Sequence, residues 1–309
     1  MDQLFEHIAT LEVPREDDCH RLLHGRGGTL PGLDWLVVDR YPPVLVATLF
    51  RPPQGLDRAR LKAALEARLL PLGCDCLVWQ ERGPEGARTE VVCGQLPQAP
   101  LAREAGLDFE LDFSRGQNIG FFADMVPARR WLAERAQGKR VLNLFSFTCA
   151  FSVVSAAAGA SRVVNIDLSR PALAQGQRNH AINRLDTSEV HFLPHDIFRS
   201  WKKLHSLGRY DLIIMDPPSE QKGSFLARRD YARVVRRLSK LLAPEADLLA
   251  CLNAPWLGET FLDDAVLGNL PGTARVARLP FAPGFAEADA DAGLKVIHYR
   301  YQRPSPEGS

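Results

Sequence analysis

Four polar turns, each following a short apolar run, hold the side chains with the most chemical content. They are N-L-F-S-F-T at residues 143–148, Asp167 at the end of RVVNID, His195-Asp196-Ile197, and Asp216-Pro217-Pro218 after YDLIIM. A short turn between a strand and a helix aims backbone N–H groups at a ligand. The first turn contains no glycine, whereas a dinucleotide site needs G-x-G-x-x-G to admit a pyrophosphate. That argues against a nicotinamide cofactor. A sulfonium amino acid, which has no phosphates, tolerates Phe145, Ser146 and Thr148 there. Asp167 can accept both hydroxyls of a ribose; it could instead cap the following helix, although Ser169, just before Pro171, fits that task better. Asp196 can take an adenine amino group, with Ile197 against the ring, or it can cap a helix starting at Ile197. In Asp216-Pro217-Pro218 the prolines set φ and remove two N–H donors. One carboxylate and stiff carbonyls remain to position a nucleophile against a methyl donor.

These turns need strands to carry them, and the sequence supplies the strands. From residue 127 onward, strands are predicted at 140–145, 162–167, 189–193, 210–215 and 246–252. Helices are predicted at 127–137, 149–158, 170–184, 196–206 and 226–242. Such alternation implies a parallel, doubly wound α/β sheet, in which ligands bind beyond the carboxyl ends of the strands. The first part reads differently. Two short β runs around Pro42-Pro43, a helix at 56–70, strands at 75–80 and 89–94 around the turn RGPEGA, and a strand at 107–113 make a small α+β domain. The expected organisation is therefore an N-terminal α+β domain over 1–113 and a second domain over 114–309, with SRGQNIGFFADM at its entrance. Residues 281–295 read as a mobile loop before a final strand, KVIHYRYQ.

Bulk properties narrow the classes. With 309 residues and 46% hydrophobic content, a core can form without staples. Six cysteines are present, but Cys74-x-Cys76 is too tight for a zinc pair and no matching pair follows. Reduced thiols, no metal and no membrane span are expected, and the acidic N-terminus has no signal-peptide pattern. A cytoplasmic location follows as an expectation. The net charge of +1 does not announce a polyanion partner. Two local clusters do: Arg129, Arg130, Arg135, Lys139 and Arg140, and then Arg228, Arg229, Arg233, Arg236, Arg237 and Lys240. Each can neutralise phosphates or simply form a solvated helix face.

At these residues the sequence resembles the class I S-adenosylmethionine-dependent methyltransferases. More narrowly, it resembles the bacterial large-subunit ribosomal RNA methyltransferases of the RlmI and RlmK type. The matching stretches include RLLHGRGGTLPGLDWLVVDRY (21–41), GQNIGFFADMVPARRWL (116–132), VLNLFSFTCAFSVVSAAAGASRVVNIDLS (141–169), NHAINRLD (179–186), HDIF (195–198) and YDLIIMDPP (210–218). The resemblance implies a Rossmann-like catalytic domain, S-adenosyl-L-methionine as cofactor, and ribosomal RNA as substrate. Carried over by position, Asn143, Phe145, Ser146 and Thr148 line the methionine side. Asp167 holds the ribose, with Leu168 and Ser169 beside it in the cofactor set, and Asp196 with Ile197 holds the adenine. Asp216 and Pro217 form the catalytic floor. Phe122, Asp124 and Arg130 lie near the cofactor or the RNA.

Departures from the family pattern matter for mechanism. Thr148-Cys149 stands where relatives have Thr-Gly, which puts the close backbone approach in doubt. Relatives of the RlmI type carry a PUA-like RNA-binding domain, which a chain starting here is expected to lack. Cytosine-5 chemistry needs a Cys nucleophile, placed in relatives near Asn253; Cys251, two residues earlier on the same face, fits a core position better. Ser219, not an aromatic, follows Asp216-Pro217-Pro218. Methylation of a ring nitrogen of guanine, with Asp216 and Asn253 orienting the base, is therefore favoured over cytosine-5. Phe121, Phe122, Phe225 and Tyr231 are candidates to stack on that base. The alternatives are a methyltransferase of small molecules or proteins, a cofactor-binding homologue without catalysis, and, against the missing glycine fingerprint, a dehydrogenase.

Overall fold

The computed structural model describes residues 2–13, 18–84, 86–114, 118–221 and 225–304. Residues 115–117 of the expected entrance segment, and Glu85 of the turn between the predicted strands, lie outside the described residues. The chain divides into two units, Met1–Asp124 with Phe281–Asp289, and Met125–Pro280 with Ala290–Ser309.

The first unit contains α1 (Asp2–Ala9), β1 (His20–His24), β2 (Leu36–Tyr41), β3 (Val44–Phe50), α2 (Arg58–Glu66), β4 (Cys76–Gly83), β5 (Gly86–Cys93), β6 (Leu101–Glu104) and β7 (Leu107–Glu110). Its five-stranded sheet runs in the order β1-β2-β3-β4-β5, while β6 and β7 form a separate hairpin. All neighbours are antiparallel except β3 and β4, between which α2 makes the crossover. Asp57 starts α2 by accepting the Arg60 N–H at 2.9 Å. Leu4, Ile8, Leu36, Leu45, Leu61, Leu65 and Trp79 share the core. Even Asp39, in the middle of buried β2, is out of water; the Arg21 guanidinium meets it as a fork at 2.7 and 2.9 Å. Sequence reading missed α1, β1 and β6. It also read residues 281–295 as mobile, whereas Phe281–Asp289 packs into this unit. There Phe285 lies under Arg21 at 4.2 Å, Glu287 meets His24 at 3.2 Å, and Ala288 N–H donates to Gly27 O at 2.7 Å. Gly27 is required by this approach, because a Cβ there would stand 2.0 Å from the Ala286 carbonyl oxygen.

The second unit contains α3 (Val126–Ala133), β8 (Arg140–Leu144), α4 (Ala150–Ala157), β9 (Arg162–Ile166), α5 (Arg170–Ile182), β10 (Val190–Leu193), α6 (Trp201–Ser206) and β11 (Tyr210–Met215). It continues with β12 (Glu220–Gln221), β13 (Phe225–Leu226), α7 (Ala227–Leu238), β14 (Leu242–Leu252), α8 (Glu259–Leu267), β15 (Thr273–Arg278) and β16 (Lys295–Gln302). The seven-stranded sheet runs β10-β9-β8-β11-β14-β16-β15. Its first five strands are parallel, as the alternation predicts, and β16 is antiparallel to both β14 and β15. This is the Rossmann-like fold expected from the resemblance. The final strand predicted at KVIHYRYQ is β16; its antiparallel direction, β15 and α8 were not foreseen, because the rest of residues 257–309 shows no clear period. Helix α7 buries Tyr231, Val234, Val235 and Leu238 at the i, i+3, i+4, i+7 spacing of one face. Each such side chain contributes roughly 1.5–3 kcal/mol by leaving water. Its arginines occupy the opposite face.

Candidate active site

The parallel register brings the four turns to one rim. Leu193 pairs with Ile166, Ile166 with Leu144, and Leu144 with Met215. These four residues form one row across β10, β9, β8 and β11. The chain leaves that row at Pro194, Asp167, Phe145 and Asp216, so the turns emerge side by side. Strand order reverses between β8 and β11, the place where open α/β sheets leave a crevice.

Asp167 organises the rim. Its Oδ2 accepts the Phe147 N–H at 2.8 Å and its Oδ1 accepts the Ser169 N–H at 2.8 Å. A carboxylate has about four acceptor sites, so two remain on this half-buried side chain. Ser169 Oγ accepts the Ala172 N–H, so the helix cap falls to Ser169. Leu168, next to Asp167, is 54% exposed. Asp196 does act as a cap: its Oδ1 accepts the Phe198 N–H at 2.8 Å at the start of a short 3-10 turn, Ile197–Arg199. Its other oxygen lies 3.7 Å from Arg199 Nε. Ile197 is buried against the sheet, which leaves its backbone, more than its side chain, to meet a ring.

The turn after β8 is not simply a lining of side chains. Asn143 is only 1% exposed and sits beneath the turn, donating from Nδ2 to Asn165 Oδ1 at 3.0 Å. Ser146 and Thr148 are also buried; Phe145 and Phe147 are half-buried. Three non-glycine residues take positive φ: Phe145 at 58°, Phe147 at 46° and Cys149 at 62°. Cys149 thus adopts the left-handed conformation that glycine holds without cost. Its side chain needs room, and Gly176 of α5 supplies it. A Cβ on residue 176 would stand 2.5 Å from Cys149 Sγ and 2.8 Å from its Cβ. The glycine missing at 149 is compensated across the packing interface. Burial pushes the Cys149 thiol well above its ordinary pKa, although Ser146 opposes the shift.

A buried polar chain supports this turn, and sequence reading missed it. Asn165 Nδ2 donates to Ser152 Oγ at 2.8 Å, and Ser152 Oγ meets His180 Nε2 at 3.0 Å. His180 Nδ1 faces the Gly176 carbonyl at 2.7 Å; a carbonyl only accepts, so Nδ1 carries the proton. Asn179 Nδ2 donates to the Thr148 carbonyl at 3.0 Å. The available signal was Asn165 itself, a polar residue inside the apolar run RVVNI.

Asp216 is half-buried at the end of β11, and Pro217 is buried. Ser219 Oγ donates to the Asn253 carbonyl, and Ala227 N–H donates to the Ser219 carbonyl at 3.0 Å. Ser219 therefore ties the turn after β11 to the exposed residue that follows β14. Cys251 is fully buried, and its carbonyl accepts from Tyr231 Oη at 3.0 Å. Phe225 and Tyr231, offered above as stackers, are core residues, and Phe121 packs on Phe109 at 4.8 Å. Phe122, 41% exposed, and Asp124 belong to the first unit. The first basic cluster disperses: Arg129 is buried, Arg140 forks onto Asp211 at 2.9 and 3.0 Å, and Arg135 stacks on Trp131.

The donor set tests what ligand fits. Asp167, Asp196 and Asp216 offer hydrogen-bond acceptors along one rim, and the turns 143–149 and 216–219 carry no Lys or Arg. Arg170 and Arg199 follow the other two turns, Arg199 3.7 Å from Asp196, so it is the row of acceptors that suits a ligand rich in N–H and O–H donors, as an adenosyl amino acid is. Among the described residues no three His, Cys, Asp or Glu side chains group to hold a metal ion, and no helix is long and apolar enough to cross a membrane.

The family model described as S-adenosylmethionine-dependent methyltransferase matches residues 20–300. The chain is 34% identical over 243 residues to the ribosomal RNA large subunit methyltransferase I of Aeromonas hydrophila, covering 74% of this chain and 59% of that protein. It is 32% identical over 277 residues to a ribosomal RNA large subunit methyltransferase of Deinococcus radiodurans, covering 84% of this chain and 65% of that protein. The chain thus spans about three-fifths of the length of the curated relatives it matches. A crystal structure of a methyltransferase complexed with S-adenosylhomocysteine superimposes with a TM-score of 0.76 at 22% identity, covering 97% of this chain and 78% of that one. At that identity the match speaks for the fold.

Proposed function

Because the chain belongs to the S-adenosylmethionine-dependent methyltransferase family, we propose that it methylates a base of ribosomal RNA, at a ring nitrogen of guanine rather than at carbon-5 of cytosine. The observation that carries this reading is the row of strand ends that puts Asp167, Asp196 and Asp216 on one rim. The names of the relatives support the RNA substrate. A ribosomal RNA substrate implies work in the cytoplasm.

When bound, S-adenosyl-L-methionine supplies a methyl group activated by its sulfonium. The two acceptor sites left on Asp167 receive the ribose hydroxyls. Leu168 and Ser169 flank that ring, and Asp196 with the Ile197 backbone receives the adenine edge. Phe145 and the backbone of Ser146 and Thr148 enclose the amino-acid end, while Asn143 holds their turn from beneath. Asp216 accepts N–H bonds from the target base. Asn253, tied to the same turn through Ser219, offers its amide, and Pro217 fixes the direction of the turn. Of guanine's ring nitrogens N1 carries a proton, whereas N7 attacks with its own lone pair and needs no base, so at N7 alignment does most of the work. Cytosine-5 chemistry needs a thiolate, and neither buried Cys251 nor buried Cys149 can present one at the rim. A base within a helix would have to be flipped out or lie in a single strand.

The test is transfer of labelled methyl to ribosomal RNA from a strain lacking the gene, followed by mass mapping of the modified nucleoside. Label on a guanine ring nitrogen is expected. Label at cytosine-5 would overturn the choice of atom. Label on protein or small molecules alone would overturn the RNA substrate.

A further inference from the structure

The second basic cluster is not an evenly solvated helix face. Arg233, Arg236, Arg237 and Lys240 on and just after α7 line one hollow together with Phe198 and Trp201, which precede and begin α6. The hollow has a volume of about 450 Å³. Its cations are unequally compensated. Arg233 shares the buried Asp230 carboxylate with Arg229, so that negative charge is already spent. Arg236 donates only to the neutral amide oxygen of Asn269, at 2.9 Å. Arg237 and Lys240 have no acidic partner among the described residues.

The C-terminal dipole of α7 attracts cations, which accounts for basic residues in its last turn. It does not account for two aromatic side chains facing the same space. The Arg233 guanidinium lies 4.8 Å over the Phe198 ring, and Trp201 is half-buried beside it. Cations interleaved with aromatic faces suit a polynucleotide, whose phosphates take the charge and whose bases stack. Both rings pack in part against the core of the second unit; an acidic peptide would use only the charges around them. The hollow also adjoins the rim, since the Phe198 N–H is bound by Asp196 Oδ1.

We propose that this hollow is a second RNA site, which grips the phosphates and one base of a single-stranded segment lying outside the reacting nucleotide. The proposal rests on the ribosomal RNA reading and locates part of its substrate. Arg236, Arg237 and Lys240 carry the phosphate contacts, and Trp201 carries the stacking.

The test uses the full chain, a labelled single-stranded 20-mer oligoribonucleotide of mixed sequence, and titrations at several salt concentrations. Three phosphate contacts to a single strand should contribute about 2 to the slope of log affinity against log salt. The triple variant Arg236→Gln/Arg237→Gln/Lys240→Gln should lose that part of the slope while S-adenosylhomocysteine binding by calorimetry is unchanged. Ultraviolet crosslinking of the unmodified protein should place RNA on the peptide that holds Phe198 and Trp201, a readout independent of any variant's folding. An unchanged slope in the triple variant, or crosslinks only elsewhere, would overturn the second site and leave the RNA substrate standing. If the unmodified protein binds no oligoribonucleotide at low salt, the RNA reading itself fails. Polyglutamate binding as tight as the RNA would reassign the hollow to an acidic protein.

Discussion

The turn after β8 and the turn after β11 leave neighbouring strands from the same row, yet different forces hold them. After β8, Phe145, Phe147 and Cys149 all sit at positive φ without a glycine among them. Such residues cost of order 1–3 kcal/mol each and persist only where the surroundings impose them. Here the surroundings are the Asp167 carboxylate on the Phe147 N–H, the Asn179 amide on the Thr148 carbonyl, and the space left by Gly176. After β11, Pro217 and Pro218 fix their own φ, and Ser219 links the turn to its surroundings through its hydroxyl, on the Asn253 carbonyl, and its carbonyl, which accepts the Ala227 N–H. The first turn takes its shape from its neighbours; the second has it built into the covalent chain. Distant substitutions should therefore damage the first turn more than the second.

The largest effect is expected at Asp167. Asp167→Ala removes the acceptor for Phe147 N–H and the proposed ribose contacts together. Charge-assisted hydrogen bonds are worth roughly 1.5–3 kcal/mol each, so S-adenosylhomocysteine affinity should fall by about a hundredfold or more in calorimetry. Asp167→Asn should fall between. An affinity within threefold of the unsubstituted chain would show that the carboxylate neither holds the turn nor meets the ligand.

Next comes Gly176→Ala, a residue with no proposed ligand contact. The added Cβ overlaps Cys149 Sγ, and overpacking of this kind costs about 1–3 kcal/mol. The urea midpoint should drop and cofactor affinity should drop with it. Adding Cys149→Gly should restore both, because it removes the overlap and relaxes the left-handed residue. If the double variant is as unstable as the single one, another contact is responsible.

These two residues also show how far the sequence could be read. The five parallel strands of the second unit, their order along the chain and the four turns were legible because apolar runs and punctuating residues are local signals. Asp167 and Asp216 were found that way. Gly176 was not, since the reason for a glycine in the middle of α5 is a sulfur atom 27 positions earlier. Asn143 was placed on the ligand because it belongs to the motif, yet its partner Asn165 lies on the adjacent strand and turns it inward. Cross-strand partnerships of that kind carry no local period. The same holds for Phe281–Asp289, whose composition resembles a free loop and whose anchors lie near residues 21–28.

A smaller, pH-dependent effect is expected from His180 beneath the first turn. Burial lowers its pKa, against the opposing bonds to Gly176 and Ser152. Its neutral ring accepts from Ser152 and donates to the Gly176 carbonyl. Protonation would put a second donor against Ser152, whose hydroxyl proton would then lose its acceptor. The folded pKa lies below the unfolded value, so the unfolded chain binds more protons in the window between them. Stability from this group is full above about 6.5, the ordinary imidazole value, and is lost as pH falls toward and through the folded pKa. His180→Gln should flatten that part of the stability profile, measured by urea unfolding between about pH 7 and 5. An unchanged profile would mean that other groups titrate there.

The smallest effect should come from the second turn, at Ser219→Ala. The substitution removes the hydroxyl that donates to the Asn253 carbonyl. One such bond is worth about 1 kcal/mol, and the exposed Asn253 carbonyl can turn to water in compensation. Pro217 and Pro218 keep the backbone direction of the turn, so Asp216 should stay in place. The expected result is a loss in kcat/KM of about fivefold or less on the proposed RNA substrate, with S-adenosylhomocysteine affinity unaltered. Loss of cofactor binding in this variant would contradict the contrast between the turns, because it would mean that the proline turn, too, depends on its neighbour for its shape.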